Sequence, residues 1–146
     1  MKKLILVARS EGNLFKMSFD EKENKQEFEK VERGDIVLIN FDSQSGKEIF
    51  GNRYAVVLSP NLFNANTGFV SLCPITHTKR GFGYEVDIPE DKITIQGKNE
   101  PFYLAGVILT HQLKNLDARS RRLKVVGTMP DEIVERCMDY VSTYLC

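Results

Sequence analysis

Short apolar runs broken by turn residues dominate the middle of the chain. The block Asp35-Ile-Val-Leu-Ile-Asn-Phe41 is rich in β-branched residues and reads as a buried strand. A polar, glycine-punctuated loop follows over residues 42–51. Tyr54–Ser59 forms a second strand, stopped by Pro60, and Asn61–Gly68 reads as a turn-rich connection. Phe69–Cys73 makes a third strand, ended by Pro74. Tyr84–Ile88 alternates up to Pro89, and Phe102–Leu109 and Leu123–Val126 supply two more. Several short strands separated by turn signals indicate a small barrel or sandwich.

The two ends of the chain differ from this middle. Leu4–Val7 reads as a short strand, and residues 18–32 are dense in charges of alternating sign, the pattern of a solvated helix or a mobile tether. A boundary is placed between Glu32 and Arg33, so residues 1–32 form a charged extension and residues 33–146 the main domain. At the other end, Thr128-Met-Pro-Asp131 resembles a helix start. Ile133, Val134, Cys137, Tyr140, Val141, Tyr144 and Leu145 recur at three- and four-residue spacing, one apolar face of a helix packed on the sheet. The expected class is therefore mainly β, with a C-terminal helix.

Composition narrows the function. The chain has 146 residues and equal numbers of acids and bases, 20 of each, so bulk charge cannot hold a nucleic acid and any such contact needs a local patch. Nothing approaches the ~18–20 apolar residues of a membrane span, and Leu4–Ala8 is too short for a secretory leader. The three cysteines, Cys73, Cys137 and Cys146, form no CxxC and suit buried small side chains in a reducing cytoplasm. His77 and His111 are the two histidines; neither sits in a metal-ligand motif, and no cofactor or metal is expected. Nucleotide-binding and serine-hydrolase motifs are absent, and Gly81-Phe-Gly83 reads as a turn.

Polar residues gather instead where strands end: Gly51-Asn-Arg53, Pro74-Ile-Thr-His-Thr-Lys-Arg-Gly81 and Thr110-His-Gln-Leu-Lys114. Lys114–Lys124 carries five bases (Lys114, Arg119, Arg121, Arg122, Lys124) against Asp117 alone, so it reads either as a phosphate-tracking patch or as a solvated loop.

These blocks together resemble a known family. Arg33-Gly-Asp-Ile-Val-Leu-Ile-Asn-Phe-Asp42, Gly51-Asn-Arg-Tyr-Ala-Val-Val-Leu-Ser-Pro60, Cys73-Pro-Ile-Thr76, Gly83-Tyr-Glu-Val86 and Gly106-Val-Ile-Leu109 are similar, in order and spacing, to the MazF/PemK toxins of type II toxin–antitoxin systems. The resemblance covers about residues 33 to 145. It implies an SH3-like β-barrel with helices, a homodimer, and a metal-independent endoribonuclease. Such an enzyme cuts single-stranded RNA through its 2′-OH, leaving 2′,3′-cyclic phosphate and 5′-OH ends, and a cognate antitoxin of the MazE/PemI type blocks its RNA groove.

The family's conserved arginine falls on Arg53, its threonine on Thr76, its loop glutamate on Glu48 and a glutamine on Gln112. A guanidinium is a planar fork that matches a phosphate and stays charged, so Arg53 suits clamping the developing phosphorane. Thr76 would fix the in-line pose. Glu48 is the candidate base, with His77 its rival because imidazole titrates near neutrality in water. Asn52, His77, Thr78, Lys79, Arg80, His111, Gln112 and Arg119 are candidate RNA contacts. Phe41 and Phe50 would be either core or base-stacking surfaces.

Three departures bear on activity. Tyr54 stands where many members carry proline, His111-Gln112 where many carry Asp-Gln, and Asp91–Pro101 looks like an expanded loop. Two other readings use the same scaffold: a CcdB-like gyrase poison acting through the C-terminal helix, and a catalytically silent RNA- or protein-binding relative.

Overall fold

In the computed structural model, the described residues are the backbone strands 5–8 and 14–17 together with residues 27–42 and 51–145. β1 (Ile5–Ala8) and β2 (Leu14–Met17) form an antiparallel pair. A 3-10 turn at Glu27–Lys30 leads into β3 (Asp35–Asn40), β4 (Asn52–Val57), helix α1 (Asn61–Thr67) and β5 (Phe69–Thr76). β6 (Glu85–Asp87), β7 (Thr94–Ile95), β8 (Phe102–Tyr103) and β9 (Val107–Leu109) follow. A 3-10 turn at Thr110–Gln112, β10 (Lys114–Asp117), β11 (Lys124–Thr128) and helix α2 (Asp131–Leu145) complete the chain. The main sheet is antiparallel, in the order β11-β3-β4-β5-β9-β6, with β10 also on β5; β7 and β8 make a separate hairpin.

Side-chain alternation divides the sheet between two cores. Ile36, Val56, Cys73 and Ile75 face one core with Ile133, Val134, Cys137 and Val141 of α2. Val126 of β11 and Val86 of β6 belong to that same core, so both end strands of the sheet contribute to the core that α2 covers. Ile95 of the β7–β8 hairpin joins them, and Gln96 donates its N–H to Val126 O at 2.9 Å. Val37, Ile39, Ala55, Val57, Val70 and Leu72 face the second core, which Phe28 and Val31 close from the charged segment. Packing thus reaches back at least to Phe28. Among the described residues, no helix is long and apolar enough to cross a membrane.

Several elements differ from expectation for identifiable reasons. The connection after Pro60 is helical: Phe63 and Asn64 donate their N–H groups to Pro60 O, and Gly68, at φ +77°, closes the end onto Asn64 O. The helix turns a polar side chain inward, so no apolar stripe announces it. The Asn64 amide donates to Val31 O at 3.0 Å and Ser59 O at 3.1 Å and accepts the Ser59 hydroxyl at 2.5 Å.

β5 also runs on through Pro74 to Thr76. Its residues 69–72 pair with β10 and residues 75–76 with β9, so the proline occupies the gap in that edge ladder where no N–H is called for. The expected strand 102–109 is split into β8 and β9 around Gly106, at φ +123°. The basic run begins as strand β10. The helix stripe leaves the core early, since Tyr144 and Leu145 are exposed.

Candidate functional site

The second core ends where β4 and β5 leave it, and the site begins there. Ala55 pairs with Pro74, and this register carried two residues on sets Arg53 level with Thr76. Paired residues of an antiparallel ladder share a face, so both side chains leave the sheet on the side of Ile39 and Val107, their partners on β3 and β9. Both are half-buried. They line a groove of about 940 Å³ together with Thr78, Arg80, Leu109 and Gln112, and with the rings of Phe82, Tyr84 and His111. Among the described lining residues there are two guanidiniums and no carboxylate. A locally cationic cleft therefore opens on a chain of zero net charge.

One wall is the loop from Thr76 to Tyr84. The Thr76 hydroxyl oxygen accepts the Thr78 N–H at 3.3 Å, which leaves its proton available to another acceptor. Glu85 and Asp87 pair with Leu109 and Val107 and so share the Thr76 face, where bare carboxylates would repel an anion. Their charge is engaged locally. Glu85 accepts the N–H groups of Arg80 and Gly81 at 3.0 Å each and returns its own N–H to Phe82 O, and Asp87 pairs with Lys79 at 3.0 Å.

A second part of the lining is the 3-10 turn at Thr110–Gln112. Thr110 is fully buried, and its N–H and hydroxyl both reach Tyr84 O, at 3.2 and 2.5 Å. His111 is exposed and stands edge-on to the Phe82 ring, with centroids 5.4 Å apart and planes at 82°. Behind Thr76, Gly106 lets two backbones touch, because a Cβ at that position would overlap the Thr76 carbonyl.

The structure thus brings together Arg53, Thr76, Thr78, Arg80, His111 and Gln112. His77 and Lys79 are exposed on the same loop but do not line the groove. Three expected contacts lie elsewhere. Phe41 is wholly buried in the second core, so its ring has no free face to stack on a base. Asn52 is one residue out of phase with Arg53 and opens on a different cavity, of about 530 Å³. The Arg119 guanidinium lies 4.8 Å over the Phe28 ring. The basic run is likewise dispersed: Arg121 donates to Asn40 O and Asp42 O, outside the groove. Glu48 and Phe50 lie outside the described residues. Among the described residues, no cluster of three His, Cys, Asp or Glu could hold a metal ion.

Phe82, Tyr84 and Leu109 border the groove without having been expected there. A signal existed for Phe82, a large apolar residue set between two glycines in a polar loop.

Comparisons with known proteins identify the family and the fold. The family model for PemK-like, MazF-like toxins of type II toxin–antitoxin systems matches residues 32–145. The endoribonuclease toxin ChpB of Escherichia coli K12 is 36% identical over 118 residues, covering 78% of this chain and 90% of ChpB. The crystal structure of MazF from Deinococcus radiodurans superposes with a TM-score of 0.68 at 31% identity, covering 79% of this chain and 96% of that one. A MazE–MazF complex from the same organism aligns at a TM-score of 0.62 and 29% identity, over 79% of this chain and 94% of its MazF-like chain.

Proposed function

The chain belongs to the PemK-like, MazF-like family of toxins of type II toxin–antitoxin systems, and from that premise we propose that its groove cuts single-stranded RNA by metal-independent transesterification. The observation that carries this reading is that Arg53 and Thr76 line one groove whose described lining offers cations and hydroxyls but no carboxylate.

In the reaction, a ribose 2′-oxygen attacks the adjacent phosphorus and the P–O5′ bond breaks. The leaving 5′-oxygen takes up a proton from the protonated base or from water, and the products are a 2′,3′-cyclic phosphate and a 5′-OH. Negative charge grows on the nonbridging oxygens as the phosphorane forms. The Arg53 fork meets that charge with two parallel donors, an interaction stronger in the transition state than in the bound substrate. Thr76 donates its free proton to a phosphate oxygen and holds the attacking and leaving oxygens in line. Glu48 remains the candidate to take the 2′-OH proton; of the two imidazoles, His111 borders the groove and His77 does not, so His111 takes His77's place as its rival. Gln112 and Thr78 contact the bases or sugars on either side.

The toxin unit is assigned to residues 33–146 and the charged extension to residues 1–32. A cognate antitoxin is the expected protein partner, supported by the MazE–MazF complexes that this fold resembles. A homodimer acting in the cytoplasm is the expected working form.

The test is incubation of the purified protein with a long single-stranded RNA in excess EDTA, followed by mapping of the 5′-OH ends. Cleavage at a recurrent short sequence is the expected result. Intact RNA, or cleavage that chelation stops, would overturn the proposal.

A further inference from the structure

The last turn of α2 reaches back to the groove through two hydroxyls. Tyr144 is 44% exposed, yet its hydroxyl donates to Thr110 O at 2.5 Å, across 34 residues of sequence. One residue earlier, the Thr143 hydroxyl shares a 2.9 Å hydrogen bond with the Tyr84 hydroxyl. The Tyr84 carbonyl in turn takes both the N–H and the hydroxyl of Thr110. The four residues form a closed circuit joining the helix end to both parts of the groove lining. The Tyr84 ring also packs against Tyr140 and Tyr144, with centroids 5.6 and 6.1 Å away.

We propose that Tyr144 is a positioning residue for the groove, its hydroxyl fixing the peptide plane from which His111 projects. The Thr110 carbonyl and the His111 nitrogen belong to one planar peptide unit. Holding the oxygen from α2, while the Thr110 N–H and hydroxyl are held by Tyr84, restrains that unit and so the direction in which the His111 side chain leaves the chain. The imidazole stands edge-on to Phe82 and borders the same groove as Arg53 and Thr76. The apolar stripe of α2 explains Ile133, Val134, Cys137 and Val141 but does not call for a hydroxyl at 144, where the ring is half in solvent. The role in cleavage rests on the endoribonuclease reading of the groove; the role in fixing His111 does not.

Tyr144→Phe tests it, because it removes one oxygen and keeps the ring. With two histidines in the chain, the imidazole proton NMR signals of His111 are identified by comparison with His77→Gln. The expected result is that the His111 signals of Tyr144→Phe shift and broaden as the ring leaves its fixed place beside Phe82, while those of His77 stay. On RNA, with His111 as the base, kcat falls roughly ten-fold with KM little changed, because a misplaced reacting group loses transition-state alignment rather than binding. Unmoved His111 signals overturn the proposal, whatever the cleavage rate. If the wild-type protein cuts no RNA, the reading of the groove fails, and the NMR comparison still decides whether Tyr144 positions His111.

Discussion

Arg53 and Thr76 stand level on adjacent antiparallel strands, two residues beyond the Ala55–Pro74 pair, and project into one groove. Each is anchored by a ladder of its own, Arg53 to Ile39 on β3 and Thr76 to Val107 on β9, so both are carried on strands rather than on loops. A guanidinium and a hydroxyl so fixed need little reorganisation when charge develops between them.

Arg53→Ala is expected to lower kcat on RNA by about 100- to 1,000-fold, the usual cost of losing one preorganised donor to developing charge. Arg53→Lys recovers little, since an ammonium cannot present a planar fork. Single-turnover cleavage with matched thermal melts checks both: near-wild-type rates in a folded Arg53→Ala protein remove the guanidinium from the chemistry.

Gly106→Ala is expected to reduce stability and activity together. Position 106 holds φ +123°, and the added methyl would collide with the Thr76 carbonyl. The cost is on the order of 2–4 kcal/mol, from backbone strain plus overpacking. A variant that melts and cuts like the wild type would mean that the backbone at Thr76 yields without consequence.

Asn64→Ala should cost about 3 kcal/mol in chemical denaturation. It strips hydrogen-bond donors from Val31 O and Ser59 O and an acceptor from the Ser59 hydroxyl, in a place closed to water. A loss below about 0.5 kcal/mol would show that water reaches those groups after all.

Buried thiols set an alkaline limit. Burial pushes the Cys137 thiol up to about 12 from an ordinary 9.0, and pushes Cys73 up as well. Above pH 9 the unfolded chain releases these protons and the folded one keeps them. The stability they confer is therefore complete below pH 9 and falls as pH rises toward 12. At pH 10 the loss is about 1 kcal/mol per thiol. Denaturation of the wild type and of Cys73→Ala/Cys137→Ala at pH 7 and 10 checks this: the double variant should decline less, and equal declines would refute it.

Much of the fold is legible in the residue order. β3, β4, β6 and α2 are marked by β-branched runs, proline stops and a helical stripe. What escapes such reading is decided at a distance. Asn64 is buried because carbonyls from a segment some thirty residues away need its amide. Pro74 sits inside a strand because β5 changes partners there, and β10 is a strand because β5 offers an open edge. The site divides in the same way. Arg53 and Thr76 stand out by likeness to a family, whereas Phe82, Tyr84 and Leu109 enter the groove only through the pairing of β5, β6 and β9. Phe41, a plausible stacking ring in one dimension, belongs to the interior because it continues the inward alternation of Val37 and Ile39.

The packing of Phe28 and Val31 bears on how far this protein can be shortened. The family match begins at Glu32, yet a chain cut there would lose Phe28 and Val31, two side chains buried in the second core. The toxin unit therefore borrows part of its interior from the extension that precedes it.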